Sequence, residues 1–183
     1  METGLSLAAN GLAWVLAFVL ARASLHKLTD FYRTVGAALD YGAAPEAWVP
    51  RLVRVLALIE AGTALALLIA PVRPMAGLVA AVLFAGYGLL MARALRQGKV
   101  EIDCGCGGAP TPVSGLSLLR NAVLVGLSLA VALLPVNAIG IAGAILGLCA
   151  GLTLFASYGL LEKFASYLPN IRQLRRDLSK GSM

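Results

Sequence analysis

The chain has 183 residues and is too apolar for a protein that folds in water. Apolar side chains make up 60% of it and 20 more residues are glycine, about 71% together, against ~45–50% in soluble domains. Charged residues are 13%, about half of the usual ~25%. This composition excludes a water-soluble enzyme, a disordered protein and a DNA reader, so the net charge of +6 indicates membrane topology rather than a nucleic-acid partner.

Five apolar segments are long enough to cross a bilayer as helices, which takes roughly 20 residues each. Prolines between them mark turns, because a proline disfavours helix in the residue before it. We therefore predict an all-α polytopic membrane bundle of about five transmembrane helices, forming a single domain over 1–183. The predicted spans are 5–25, 52–70, 75–95, 115–134 and 137–161.

Three segments are predicted to lie outside the lipid, on a common side that we call the loop face: residues 26–50, residues 96–114 and a basic tail, 162–183. In the first of them Phe31, Val35 and Leu39 recur at four-residue spacing, which predicts a short interfacial helix after the first span. The second is rich in glycine and proline and holds two of the three cysteines.

Basic residues are divided very unequally between the two sides of the predicted bundle. All of the 15 Lys and Arg residues except Arg73 lie on or near the loop face. Because lysine and arginine concentrate in cytoplasmic loops, this count predicts that the loop face is cytoplasmic.

Polar residues inside the spans are expected to be functional or paired, because an ionisable side chain near the bilayer centre costs about 2.5–3.5 kcal/mol. Glu60 lies near the middle of the second span. Arg22 near the end of the first span, or Arg120 in the fourth, is its predicted ion-pair partner, and Asn121 is adjacent. These residues predict either polar bonding between helices or a polar pocket beneath the cysteine loop, shaped for a redox partner or a quinone-like ligand.

His26 is the one histidine of the chain. It lies four residues after Arg22 and four before Asp30, so the three share one helix face. Its two interpretations are a proton relay and an ordinary hydrogen-bonding side chain at the interface.

The most specific motif is Asp-Cys-Gly-Cys-Gly-Gly at 103–108. A disulfide between Cys104 and Cys106 would close a small strained ring, which favours exchange over structural stapling. A soft-metal contact through two thiolates and an inert role stay open as alternatives. The third cysteine, Cys149, is expected to pack inside the fifth span.

The order of these features resembles the MauE family of methylamine-utilisation membrane proteins, within the DoxX-like group. The resemblance rests on His-Lys-Leu-Thr-Asp-Phe at 26–31 followed by Val35, Tyr41 and Pro45, on Glu60 with Gly62, on the 103–108 motif, and on Ser114 or Ser117 before Arg120 and Asn121. It implies a bacterial inner-membrane protein with a four-helix core similar to DoxX and vitamin K epoxide reductase-like proteins. That architectural likeness leaves a quinone open as a cofactor.

The resemblance also implies a role in maturation of methylamine dehydrogenase, whose disulfide-rich small subunit would be the client, with a thioredoxin-like partner. Cys104 and Cys106 would be the exchanging pair. Because that client is periplasmic, the resemblance puts the cysteines in the periplasm, whereas the charge count puts them in the cytoplasm. Two further hypotheses are a non-catalytic membrane assembly factor or chaperone, and a carrier of soft metal such as copper or mercury.

Overall fold

The computed structural model describes residues 2–42, 44–98, 113–135 and 140–180, and these residues form helices and turns without a β-strand. The helices are α1 (Glu2–Thr29), α2 (Phe31–Tyr41), α3 (Val49–Leu68), α4 (Arg73–Arg96), α5 (Gly115–Leu133) and α6 (Ile141–Lys180). Short 3-10 turns, Glu46–Trp48 and Ala70–Val72, precede α3 and α4. The all-α prediction is confirmed, as is the short helix after the first span.

Within the described residues, four helical segments are long and apolar enough to cross a membrane: Gly4–Thr29, Ala70–Arg96, Gly115–Leu133 and Ile141–Leu161. They correspond to the first, third, fourth and fifth predicted spans. The second, α3, is not among them and carries Arg51, Arg54 and Glu60. Helix α6 continues beyond its apolar part to Lys180, so most of the predicted tail is helical.

The helix ends follow local chemistry. Helices α3 and α4 each begin with a proline in their first turn, where the missing N–H costs no hydrogen bond. Helix α2 ends at Tyr41 and is capped by Gly42, whose left-handed φ of 60° is rarely adopted by residues with a Cβ. Helix α5 begins after Ser114, whose hydroxyl accepts a hydrogen bond from the Ser117 N–H at 3.3 Å.

Helix α3 runs antiparallel to α1. Near the end of α1, the Ser24 hydroxyl donates to the Ala57 carbonyl at 2.8 Å. Near the start of α1, the Asn10 side chain accepts a hydrogen bond from Arg73, the first residue of α4. Arg73 also donates to the Leu67 carbonyl near the end of α3. Helix α3 therefore lies beside α1 along most of its length, and its own crossing of the membrane stays a prediction.

The first predicted loop and the described flanks of the second lie at one end of the bundle. Met91 and Ala94 of α4 pack with Val113, which precedes α5, and Tyr41 of α2 packs against this cluster. At the opposite end the Ser6 hydroxyl lies 3.4 Å from the carbonyl oxygen of Pro135. The described flanks of the cysteine loop therefore lie at the same end of the bundle as the first loop, and the shared face of the loops themselves stays a prediction.

Helices α4 and α5 pack so closely that one position requires glycine. A Cβ placed on Gly77 would lie 2.9 Å from the Ser128 carbonyl oxygen and 3.0 Å from the Ala132 nitrogen. Close approach of backbones through small residues is typical of membrane helices, where apolar side chains gain little by leaving lipid. This contact sets the spacing of the two helices that flank the cysteine loop.

We expect Gly77→Ala to destabilise the bundle by about 1–3 kcal/mol, because the added methyl meets backbone atoms that must move. The matched control is Gly86→Ala in the same helix, where a Cβ meets nothing within 4 Å. Alanine there should be neutral or stabilising by up to about 1 kcal/mol, because alanine favours helix. Thermal unfolding followed by circular dichroism in detergent tests both, and equal loss of stability in the two variants would contradict the close packing.

Candidate functional site

A buried ion pair joins α1 to α3. The Lys27 ammonium lies 2.9 Å from Oε1 of Glu60. The two side chains are only 3% and 0% exposed, in a bundle whose other contacts are mostly apolar. Removing two charges from water is costly, so such a pair is tolerated only when each charge meets the other in good geometry.

The direction of helical side chains explains why these two residues meet. Ser24 lies opposite Ala57, so Lys27 lies one turn beyond this contact in one direction and Glu60 one turn beyond it in the other. Their backbones are thus offset along the bundle by about 9 Å, at ~1.5 Å rise per residue. Side chains in a helix lean toward its N-terminus, so in antiparallel helices these two lean toward each other across the contact.

Tyr87 of α4 completes what we call the Lys27–Glu60–Tyr87 cluster. Its hydroxyl donates to the same Glu60 oxygen at 2.5 Å. Its ring lies below the Lys27 ammonium, with the nitrogen 5.1 Å from the ring centroid, which is a favourable cation–π distance. One carboxylate oxygen therefore links three helices, and charge-assisted hydrogen bonds of this kind are stronger than neutral ones.

The second carboxylate oxygen of Glu60 is available. Oε2 is buried and has no hydrogen-bond partner among the described residues. A carboxylate accepts through both oxygens, so this site retains unused acceptor capacity in the apolar interior. A hydrogen-bond donor placed beside Oε2 would therefore meet an acceptor that is already held in position and whose negative charge is compensated by Lys27.

The predicted arginine partners are replaced by a lysine. The cation that lies against Glu60 is Lys27, whereas Arg22 and Arg120 are half-buried residues of α1 and α5. Asn121 is buried as expected, and its amide donates to the Ser117 carbonyl at 3.0 Å and lies 3.4 Å from the Met91 sulfur. It therefore bonds α5 to α4, close to the cluster, rather than bonding Glu60.

His26 lies at the loop-face end of α1. Its Nε2 is 3.8 Å from Oδ2 of Asp30, which agrees with the prediction that the two residues share one helix face. Its Nδ1 is buried and has no hydrogen-bond partner among the described residues. His26, one residue before Lys27 on α1, is therefore half-buried, with Nε2 near the exposed Asp30 carboxylate and Nδ1 in the interior.

Cys104 and Cys106 lie outside the described residues. The segment that carries them runs from Gly98, at the end of α4, to the buried Val113. Cys149, expected inside the bundle, is exposed on α6, and the packing prediction for it is wrong. In the part of the chain that the structure describes, no three His, Cys, Asp or Glu side chains lie close enough to hold a metal ion.

Lys27 and Tyr87 carry the site together with Glu60, and neither was predicted as a site residue. Lys27 was counted as a loop-face charge, although it follows Ser24 by three residues and so shares its helix face. Tyr87 and Arg93 are the polar side chains of the predicted span 75–95. A tyrosine hydroxyl in an apolar span needs a hydrogen-bond partner, and that signal pointed to Tyr87.

Comparison with known proteins gives one consistent result. The family model described as methylamine utilisation protein MauE matches residues 5–135. The MauE protein of Methylophilus methylotrophus is 36% identical over 129 residues, which cover 69% of this chain and 68% of the relative. The MauE proteins of Paracoccus denitrificans and Paracoccus versutus are 34% and 35% identical, over 64% and 78% of this chain and 64% and 79% of their own lengths. No solved structure matches the chain.

We expect Lys27→Met to destabilise the protein by about 3–5 kcal/mol, because it leaves a buried carboxylate without its counterion. Adding Glu60→Gln to Lys27→Met should restore most of the loss, since the carboxylate is then removed as well. Arg96→Met, at an exposed position of α4, is the control and should change stability by less than about 0.5 kcal/mol. Unfolding in detergent measures these three variants together with Glu60→Gln alone, and additive effects of the two single changes would show that the pair is uncoupled.

Proposed function

Because this chain belongs to the MauE family of methylamine utilisation proteins, we propose that it matures methylamine dehydrogenase by thiol–disulfide exchange through Cys104 and Cys106. Family membership carries the role in methylamine utilisation, and it agrees with the resemblance expected from the sequence. The four long apolar helices make it a membrane protein. The exchange chemistry, the client and the partner are the further steps of the proposal.

The observation that carries the exchange chemistry is the position of the Cys-Gly-Cys motif between two tightly packed helices. The helix that precedes the segment and the residue that ends it share one apolar cluster, built from Met91 and Ala94 of α4 and from Val113. Two thiols separated by one glycine form a strained ring when oxidised, so their disulfide exchanges readily. Exchange requires that a partner protein reach the loop face, where the described flanks of the motif lie.

In the proposed reaction, a thiolate of a thioredoxin-like partner attacks one sulfur of the Cys104–Cys106 disulfide. The attacked sulfur forms a mixed disulfide, and the other sulfur leaves as a thiolate that takes up a proton. The second thiol of the partner then loses a proton and attacks the mixed disulfide. The partner ends as a disulfide and the chain as a dithiol, so two electrons and two protons have moved from the partner to the chain. The reverse sequence moves a disulfide from the partner back to the chain.

The Lys27–Glu60–Tyr87 cluster has a positioning role in this proposal. It bonds α1 and α3 to α4, the helix that leads into the cysteine segment. Asn121 then bonds α4 to α5, the helix that follows that segment. A firm attachment of both helices would keep the two thiols in one place while a partner docks, which is how a rigid scaffold supports a reactive loop.

A non-catalytic assembly factor is the second candidate, because the same bundle would hold a client without chemistry. We expect replacement of both Cys104 and Cys106 by serine to abolish maturation of the methylamine dehydrogenase small subunit in a strain whose own copy is deleted. The readout is the number of small-subunit thiols that react with an alkylating reagent, measured by gel shift. Cys149→Ser is the matched control and should leave maturation unchanged, while full maturation in the double variant would establish the assembly-factor role.

The side of the membrane is tested separately, because a periplasmic client requires periplasmic cysteines. In a Cys149→Ser background, we expect a membrane-impermeant maleimide to label Cys104 and Cys106 in intact spheroplasts after reduction. Labelling that requires lysis would place the loop face in the cytoplasm, as the excess of basic residues predicts. The client could then be reached only through a carrier that crosses the membrane.

A further inference from the structure

Two arginines at the start of α3 lie on aromatic rings. The Arg51 guanidinium carbon is 5.9 Å from the centroid of the Trp48 ring, and that of Arg54 is 4.8 Å from the centroid of the Phe31 ring in α2. Trp48, Arg51 and Arg54 follow one another at three-residue spacing and so lie on neighbouring turns of one face. The arginine–aromatic patch, as we call these four residues, spans the junction of α2 and α3.

The patch carries an uncompensated positive charge. Both arginines are exposed, and neither has a carboxylate partner in the described ranges. The nearby carboxylates Asp30 and Glu60 are instead engaged with His26 and Lys27. Both guanidinium groups are therefore exposed and lie on aromatic rings rather than against carboxylates.

The patch lies toward the loop-face end of α3, the end at which we expect the lipid headgroups. Arg54 precedes the buried Glu60 by six residues, so it lies about 9 Å nearer the loop-face end of α3, at ~1.5 Å rise per residue. Trp48, which is 57% exposed, is the kind of side chain that prefers this level. Leu52 and Val55, which alternate with the arginines along α3, are also exposed and present apolar surface for acyl chains.

We propose that the arginine–aromatic patch binds the phosphate of an anionic phospholipid headgroup. A guanidinium is planar, and stacking on a ring covers its face while its N–H edge stays open for the two parallel hydrogen bonds that a phosphate accepts. The rings hold both guanidinium groups in place, which reduces the entropy lost on binding. With no compensating carboxylate beside them, two positive charges favour an anionic lipid over a zwitterionic one.

The test is native mass spectrometry of the full chain in detergent, titrated with phosphatidylglycerol or phosphatidylcholine. We expect tighter retention of phosphatidylglycerol by the unaltered chain. Arg51→Gln and Arg54→Gln should each weaken its affinity about fivefold, since a basic residue near an anionic surface contributes about 1 kcal/mol. Phe31→Leu should weaken it less, because the charge of Arg54 remains while its support is lost.

Arg93→Gln is the matched control, an exposed arginine in the last turn of α4 at the same end of the bundle. It should retain full affinity, and the melting temperature of every variant should match that of the unaltered chain. Equal affinity for the two lipids, or equal loss in Arg93→Gln, would overturn the proposal. Full displacement of the lipid by millimolar inorganic phosphate would also overturn it, because the site would then bind free anions rather than lipid.

Discussion

The buried ion pair between Lys27 and Glu60 is the constraint on which the arrangement of the bundle depends. Lipid cannot solvate either charge, so α1 and α3 must be aligned along their axes in a way that keeps the two charges in contact. The Tyr87 hydroxyl extends the same constraint to α4 through the shared oxygen. Because α4 is held against α5 at Gly77, the packing of α1, α3, α4 and α5 is linked by a chain of contacts that begins with one carboxylate.

The two ends of the bundle differ in how they use basic residues. At the opposite end, Arg73 is buried and bonded to Asn10 and to the Leu67 carbonyl, so its charge serves the interior. At the loop face, Arg51 and Arg54 are exposed on aromatic rings. Among the described residues, exposed basic side chains are therefore divided between the two ends even more unequally than the sequence count indicates. The single exception in that count, Arg73, donates its hydrogen bonds inside the bundle.

Much of the fold follows from local pattern. Helices α3 and α4 begin with Pro50 and Pro74 in their first turns, and α5 begins after the capping residue Ser114. Long apolar runs produce the four spans. Glu60 was recognisable as a site residue because a carboxylate in the middle of an apolar segment has few uses. The cation that pairs with Glu60 was not recognisable, because the sequence offers Arg22, Lys27 and Arg120 as possible partners. Only the rotation of each helix and the direction of its side chains choose between them.

The sequence by itself determined that this is an all-α membrane protein with a Cys-Gly-Cys motif between two apolar segments, an unequal distribution of basic residues and a carboxylate inside an apolar segment. Composition and periodicity carry that information, since each depends on neighbouring residues alone. Only the tertiary structure decided that Lys27 and Tyr87 share Glu60 Oε1, that Gly77 admits α5, and that Cys149 lies on the outer surface. These facts depend on how each helix is rotated about its own axis, which is set by its partners in the bundle and leaves no local pattern in the chain.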